Sequence, residues 1–84
     1  MRPNDIEHDT RDFLVSNYFF GRSEQLGGDD ALLGKVIDST GVLTLVAFLE
    51  QKYAITIPDD DVIPDNLDSV NKITSYVSRR LITT

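Results

Sequence analysis

The chain has 84 residues, which fits a single domain over 1–84, and its 40 % apolar content is too high for a typical disordered chain. Asp plus Glu number 14 against 8 for Lys plus Arg, and the resulting net charge of −6 argues against nucleic acid, whose phosphates need clustered cations. There is no Cys, so neither a disulfide framework nor thiolate chemistry of the protein's own is available.

The first helix is predicted over about 4–20. Ile6, Phe13, Leu14 and Tyr18 fall near one face, and Asp5, Glu7 and Asp9 complement the positive end of a helix dipole. Gly21 to Gly28 is polar and rich in glycine, which reads as a loop. Ala31-Leu32-Leu33 is read as a single helical turn before Gly34. The best-patterned helix is predicted over 38–54, because Val42, Leu45, Val46, Leu49 and Tyr53 share one face. Asp38 is its candidate N-cap, and Gly41 in its first turn is a local penalty of about 1 kcal/mol against Ala.

Ile55-Thr56-Ile57-Pro58 alternates like a strand but is too short to stand alone, so it reads as an extended connector. A short third helix is placed over 59–63, opened by Asp59-Asp60-Asp61 and broken by Pro64 and Asn66. The last helix is predicted over 68–82, capped by Asp68 or Ser69, with Val70, Ile73, Val77 and Leu81 inward and Arg79 and Arg80 in its last turn. The pattern as a whole predicts an all-α, up-and-down four-helix bundle with a short third helix.

Catalytic groups are scarce. The sole histidine, His8, lies in a polar stretch and reads as a solvated surface residue. No Ser/His/Asp or Cys/His arrangement is present, so an enzyme is not expected. Asp59-Asp60-Asp61 lacks the spacing and central Gly of a calcium loop, and Gly27-Gly28 precedes no phosphate-binding pattern, so no metal or nucleotide site is expected. No apolar run approaches the length of a membrane span, and the N-terminus lacks the apolar run of a signal peptide. A monomeric cytoplasmic protein is the expectation.

One local arrangement stands apart. Ser39 follows Asp38 at the start of the most regular amphipathic helix and after a long polar loop. The stretch Ile37-Asp38-Ser39-Thr40-Gly41-Val42-Leu43-Thr44-Leu45 continues to Leu49-Glu50 and Tyr53, then Ile55-Thr56-Ile57-Pro58-Asp59-Asp60 and Leu67-Asp68-Ser69-Val70. In this order the chain resembles the acyl carrier and peptidyl carrier protein family from about Leu33 to Leu81. The resemblance implies that Ser39 accepts 4′-phosphopantetheine from coenzyme A, that a separate phosphopantetheinyl transferase attaches it, and that Asp38 helps to position Ser39 for that enzyme. It implies an acyl- or aminoacyl-loading ligase and downstream biosynthetic enzymes as further partners. A surface shared with the arm is expected to include Val42, Leu43, Glu50, Asp59, Asp60 and Asp61.

The chain departs from the family's pattern. Thr40 replaces a usual Leu, Gly41 stands where an acidic residue is common, and Thr44 where many members carry Glu. These departures resemble stand-alone carriers of specialised pathways more than the general fatty-acid carrier. Asp68-Ser69-Val70 repeats the Asp-Ser pattern, but Ser69 reads as a helix cap. The alternative reading is a small acidic helical adaptor that docks on a basic partner without modification.

Overall fold

The computed structural model describes residues 3–18 and 26–83. Their regular structure is helical: α1 (Pro3–Tyr18), α2 (Ser39–Tyr53), α3 (Pro64–Leu67) and α4 (Val70–Thr83), with a 3-10 turn at Asp59–Asp61 between α2 and α3. The all-α class expected from the sequence is therefore observed. The expected continuation of the first helix through Phe19 and Phe20, and the start of the following loop at Gly21, lie outside the described residues.

α1 and α2 run antiparallel, as three contacts spaced along them require. The Tyr18 hydroxyl lies where a Cβ of residue 41 would stand, the Phe13 and Phe48 rings stack with centroids 4.4 Å apart, and the Tyr53 hydroxyl donates to Asp9 Oδ2 at 3.0 Å. α4 packs on α1 and α3. The shared core contains Ile6 and Leu14 of α1, Leu45 and Leu49 of α2, Leu67 of α3, and Val70, Ile73 and Val77 of α4, all buried.

The stripe read on α2 is narrower than its periodicity predicts. Leu45, Leu49 and Tyr53 are buried, whereas Val42 and Val46 lie half-buried at the edge of the core. An i, i+4, i+8 row thus forms the centre of the contact, with the two valines flanking it. On α4 the buried set includes Tyr76 beside Val70, Ile73 and Val77, and Leu81 is half-buried.

Three local expectations are corrected. Ala31-Leu32-Leu33 forms no helical turn; Leu33 bridges to Ile37, and the chain turns between them through Gly34 at φ +80°, a backbone setting suited to glycine. The third helix does not span 59–63. The 3-10 turn stops at Asp61, and Pro64 opens α3 instead of breaking a helix, because its missing N–H and fixed φ suit a first helical position. The last helix starts at Val70, and of its two candidate caps Ser69 serves: its Oγ accepts from the Lys72 N–H at 3.0 Å.

Between α2 and the 3-10 turn, Ala54 adopts a left-handed conformation, φ 54° and ψ 42°, and ends α2. The chain then runs extended, with Ile55 and Ile57 buried and Thr56 exposed. The Glu50 carboxylate accepts from the Ile57 N–H at 2.8 Å, and Arg80 donates to the Thr56 carbonyl at 2.8 Å, so this connector is tied to α2 and α4.

Two predictions follow from this packing. Leu49 is fully buried at the centre of the α2 contact, so Leu49→Ala should cost about 2–5 kcal/mol in a urea titration. The second concerns alkaline pH. Burial, followed by its hydrogen bond to Asp61, pushes the Tyr76 hydroxyl up to about 12, and burial and Asp9 push Tyr53 upward as well. The folded state therefore retains phenolic protons that the unfolded chain releases near 10. This stabilisation is complete below about pH 10 and lost as the pH climbs toward about 12. Urea midpoints should fall between about pH 9 and about pH 11, and the decline should be shallower in the Tyr53→Phe/Tyr76→Phe double variant.

Candidate functional site

The start of α2 is set by its backbone needs. The first N–H groups of a helix have no intrahelical partner. Asp38 stands in extended conformation just before the helix, and its Oδ1 accepts from the Gly41 N–H at 2.7 Å. The Asp38 carbonyl accepts from the Val42 N–H at 3.0 Å and begins the helical ladder. Asp38 is thus the N-cap that the sequence predicts, and its negative charge lies at the positive end of the dipole.

Ser39 is the first residue of α2 and is exposed. Exposure continues along the same side of the helix through Thr40, Leu43, Thr44 and Ala47 to Gln51. Leu43 lies one turn beyond Ser39 and is 70 % exposed, the most exposed large apolar side chain among the described residues. This outward face carries no charged residue from Ser39 to Gln51. A partner approaching Ser39 along α2 would therefore meet hydroxyls and aliphatic surface.

Gly41 has a role that its helix propensity hides. A Cβ at position 41 would lie 2.7 Å from the Tyr18 hydroxyl, 2.8 Å from Ile37 Cγ2 and 3.3 Å from Asp38 Oδ1. Tyr18 is half-buried and Ile37 buried, so α1 and the incoming chain close on the first turn of α2 where a side chain would stand. The bare backbone exchanges helical propensity for close packing.

The remaining candidates separate into two groups. Val42 is half-buried against the core, and Leu43 points outward. Glu50 and Asp61, expected on a partner surface, are engaged internally: Glu50 holds the Ile57 N–H, and Asp61 Oδ2 accepts from the Tyr76 hydroxyl at 2.7 Å. Asp59 and Asp60 are exposed on the 3-10 turn. His8 is exposed on α1, with Nε2 3.1 Å from Asp12 Oδ2. Among the described residues no group of three His, Cys, Asp or Glu side chains could hold a metal ion, and no helix is long and apolar enough to cross a membrane.

An open groove of about 370 Å³ lies between α1 and α2, over the Phe13 and Phe48 rings and beside Asp12 and Lys52. It begins more than two helical turns beyond Ser39 and is separate from the start of α2. The second Asp-Ser pair is differently placed: Ser69 is only 3 % exposed and caps α4. Asp68 was a candidate cap from sequence, but its carboxylate accepts from the Leu32 and Leu33 N–H groups in the segment leading to α2. No sequence signal pairs these residues, which are more than thirty positions apart.

Compared with models of protein families and with curated proteins, the chain matches none.

The close approach at Gly41 yields a prediction. Gly41→Ala should destabilise by about 1 kcal/mol, because overpacking of about 1–3 kcal/mol exceeds the roughly 1 kcal/mol gain in propensity. Tyr18→Phe removes one colliding atom, so the double variant should recover part of the loss. A double-mutant cycle should read a coupling of about 0.5 kcal/mol or more, measured by urea unfolding.

Proposed function

We propose that this chain is a carrier protein that bears 4′-phosphopantetheine on Ser39 and presents a thioester-linked acyl or aminoacyl group to other enzymes. The observation that carries this reading is Ser39 itself: an exposed, hydroxyl-bearing residue that opens α2 directly after the capping Asp38. In this reading the helices form the up-and-down bundle of the acyl carrier and peptidyl carrier family, with α3 as its short third helix. The antiparallel α1–α2 pair and the Leu67-Asp68-Ser69-Val70 junction into α4 support that arrangement.

The attachment asks little of the carrier. The Ser39 oxygen forms a new bond to the phosphorus nearest the pantetheine half of coenzyme A. The diphosphate bridge breaks, the nucleotide half leaves with its phosphates, and the hydroxyl proton passes to solvent or to a base on the transferase. The chain's part is to keep the hydroxyl exposed and the helix start ordered. A phosphodiester there would also face the positive end of the α2 dipole. The arm supplies the thiol that a Cys-free chain lacks, and tethering raises the effective concentration of the cargo at each partner's active site.

The partners in this reading are a phosphopantetheinyl transferase, an acyl- or aminoacyl-loading ligase and downstream biosynthetic enzymes. Recognition near Ser39 rests on shape and on the apolar Leu43, since the outward face of α2 is neutral. The exposed Asp59 and Asp60, with the net charge of −6, supply the longer-range attraction to basic partners. The packing of Tyr18 and Ile37 against position 41 is a local reason for glycine where family members often carry an acid.

The test is intact mass after incubation with a broad-specificity phosphopantetheinyl transferase and coenzyme A. The wild-type chain should gain one arm. Ser39→Ala should fold and gain none, and Ser69→Ala should still gain one while losing about 1 kcal/mol of cap stability. A wild-type chain that stays unmodified would leave the acidic adaptor as the better reading.

A further inference from the structure

We propose that Asp68 is a positioning residue for Ser39, holding the segment that leads into α2 in the one arrangement that a modifying enzyme engages. The inference rests on the carrier reading and extends it from the residue modified to the residue that presents it.

Asp68 occupies the junction of α3 and α4. Its own N–H donates to the Pro64 carbonyl at 3.0 Å, which fixes it to α3, and the next residue caps α4. From this fixed point it reaches a segment that is distant in sequence. Oδ1 accepts from the Leu32 N–H at 3.0 Å and the Leu33 N–H at 2.9 Å, and the Asp68 carbonyl accepts from the Leu32 N–H at 2.9 Å. Bonds to an ionised carboxylate are among the stronger ones a backbone amide can make. Asn71 adds a second attachment, donating its N–H to the Gly28 carbonyl at 2.9 Å and Nδ2 to Asp29 Oδ1 at 2.8 Å.

The hold is passed on toward Ser39 by backbone bonds. The Leu32 carbonyl accepts from the Val36 N–H at 2.8 Å and the Ile37 N–H at 2.9 Å, and the Ile37 carbonyl accepts from Gly34 at 2.9 Å. Ile37 is buried and directly precedes the capping Asp38. Asp68 therefore sets Leu32, Leu32 sets Ile37, and Ile37 delivers Asp38 and Ser39 to the start of α2. Without the Asp68 carboxylate the segment loses its charged acceptor and populates other arrangements, and the fraction competent for docking falls. Apparent affinity falls by that same fraction, whereas the step after docking is unchanged.

The test compares Asp68→Ala, Asp68→Asn and wild type in transfer from coenzyme A by a broad-specificity transferase, with kcat and KM for the carrier measured separately. Amide hydrogen exchange at Leu32 and Leu33 is followed in parallel. Asp68→Ala should raise KM about tenfold with kcat unchanged, and exchange at both amides should quicken. Asp68→Asn should stay within about twofold of wild type, because an amide oxygen can still accept both N–H groups. An unchanged KM in Asp68→Ala, a fall in kcat instead of a rise in KM, or an Asn variant as impaired as the Ala variant would each overturn the role. If Asp68→Ala fails to fold, Asp68→Ser, whose shorter side chain cannot reach both the Leu32 and Leu33 amides, carries the same test. It should raise KM about threefold, and no change would overturn the proposal. Failure of the wild-type chain to accept any arm would refute the carrier reading and this role with it. A modified wild type with an unaffected Asp68→Ala would refute the role alone.

Discussion

The bond from the Gly41 N–H to the Asp38 carboxylate, 2.7 Å long, fixes where α2 begins, and much of the molecule is arranged around that point. It makes Ser39 the first helical residue, turned to solvent, while Ile37 just before the cap is buried. It also places residue 41 against Tyr18, where only a bare backbone fits without something shifting. The far end of α2 is secured by different means: Tyr53 bonds to Asp9 of α1, and Glu50 holds the extended chain that follows. A helix anchored at both ends needs less from its own propensity, which helps to explain why a glycine is tolerated in its first turn.

Much of this was legible in the sequence, for local reasons. Helical periodicity identified α2, the body of α1 and α4, because an apolar stripe must be buried wherever the helix goes. Asp38 was recognisable as a cap because its partner lies three residues away. The alternation of Ile55, Thr56 and Ile57 likewise predicted the extended connector, in which the two isoleucines turn inward.

What the sequence concealed depends on partners that only the fold brings together. Gly41 reads as a weakness until Tyr18 is placed beside it. Asp68 reads as one of two caps until the Leu32 and Leu33 amides arrive. Glu50 and Asp61 look like free surface charge until Ile57 and Tyr76 claim them. Pro64 carries two opposite meanings, helix breaker or helix opener, and the preceding turn's end at Asp61 decides between them. The place of Ser39 at the start of α2 was readable from the pattern; the bonds from Asp68 to the segment before it were not.

If Ser39 carries the arm, the burial of Ser69 has a consequence for fidelity. The chain contains Asp-Ser twice, each time at the start of a helix, so a visiting enzyme that read only the dipeptide would find two targets. The fold withdraws one of them, and the discrimination is then a matter of population. Ser69 becomes reachable only when the start of α4 opens. If that opening costs roughly 5 kcal/mol, only on the order of one molecule in several thousand offers the wrong hydroxyl at any moment. Selectivity of this kind weakens as the domain is destabilised. Errors at the second serine would therefore rise with heat or denaturant, and would report local opening of α4 before the chain as a whole unfolds.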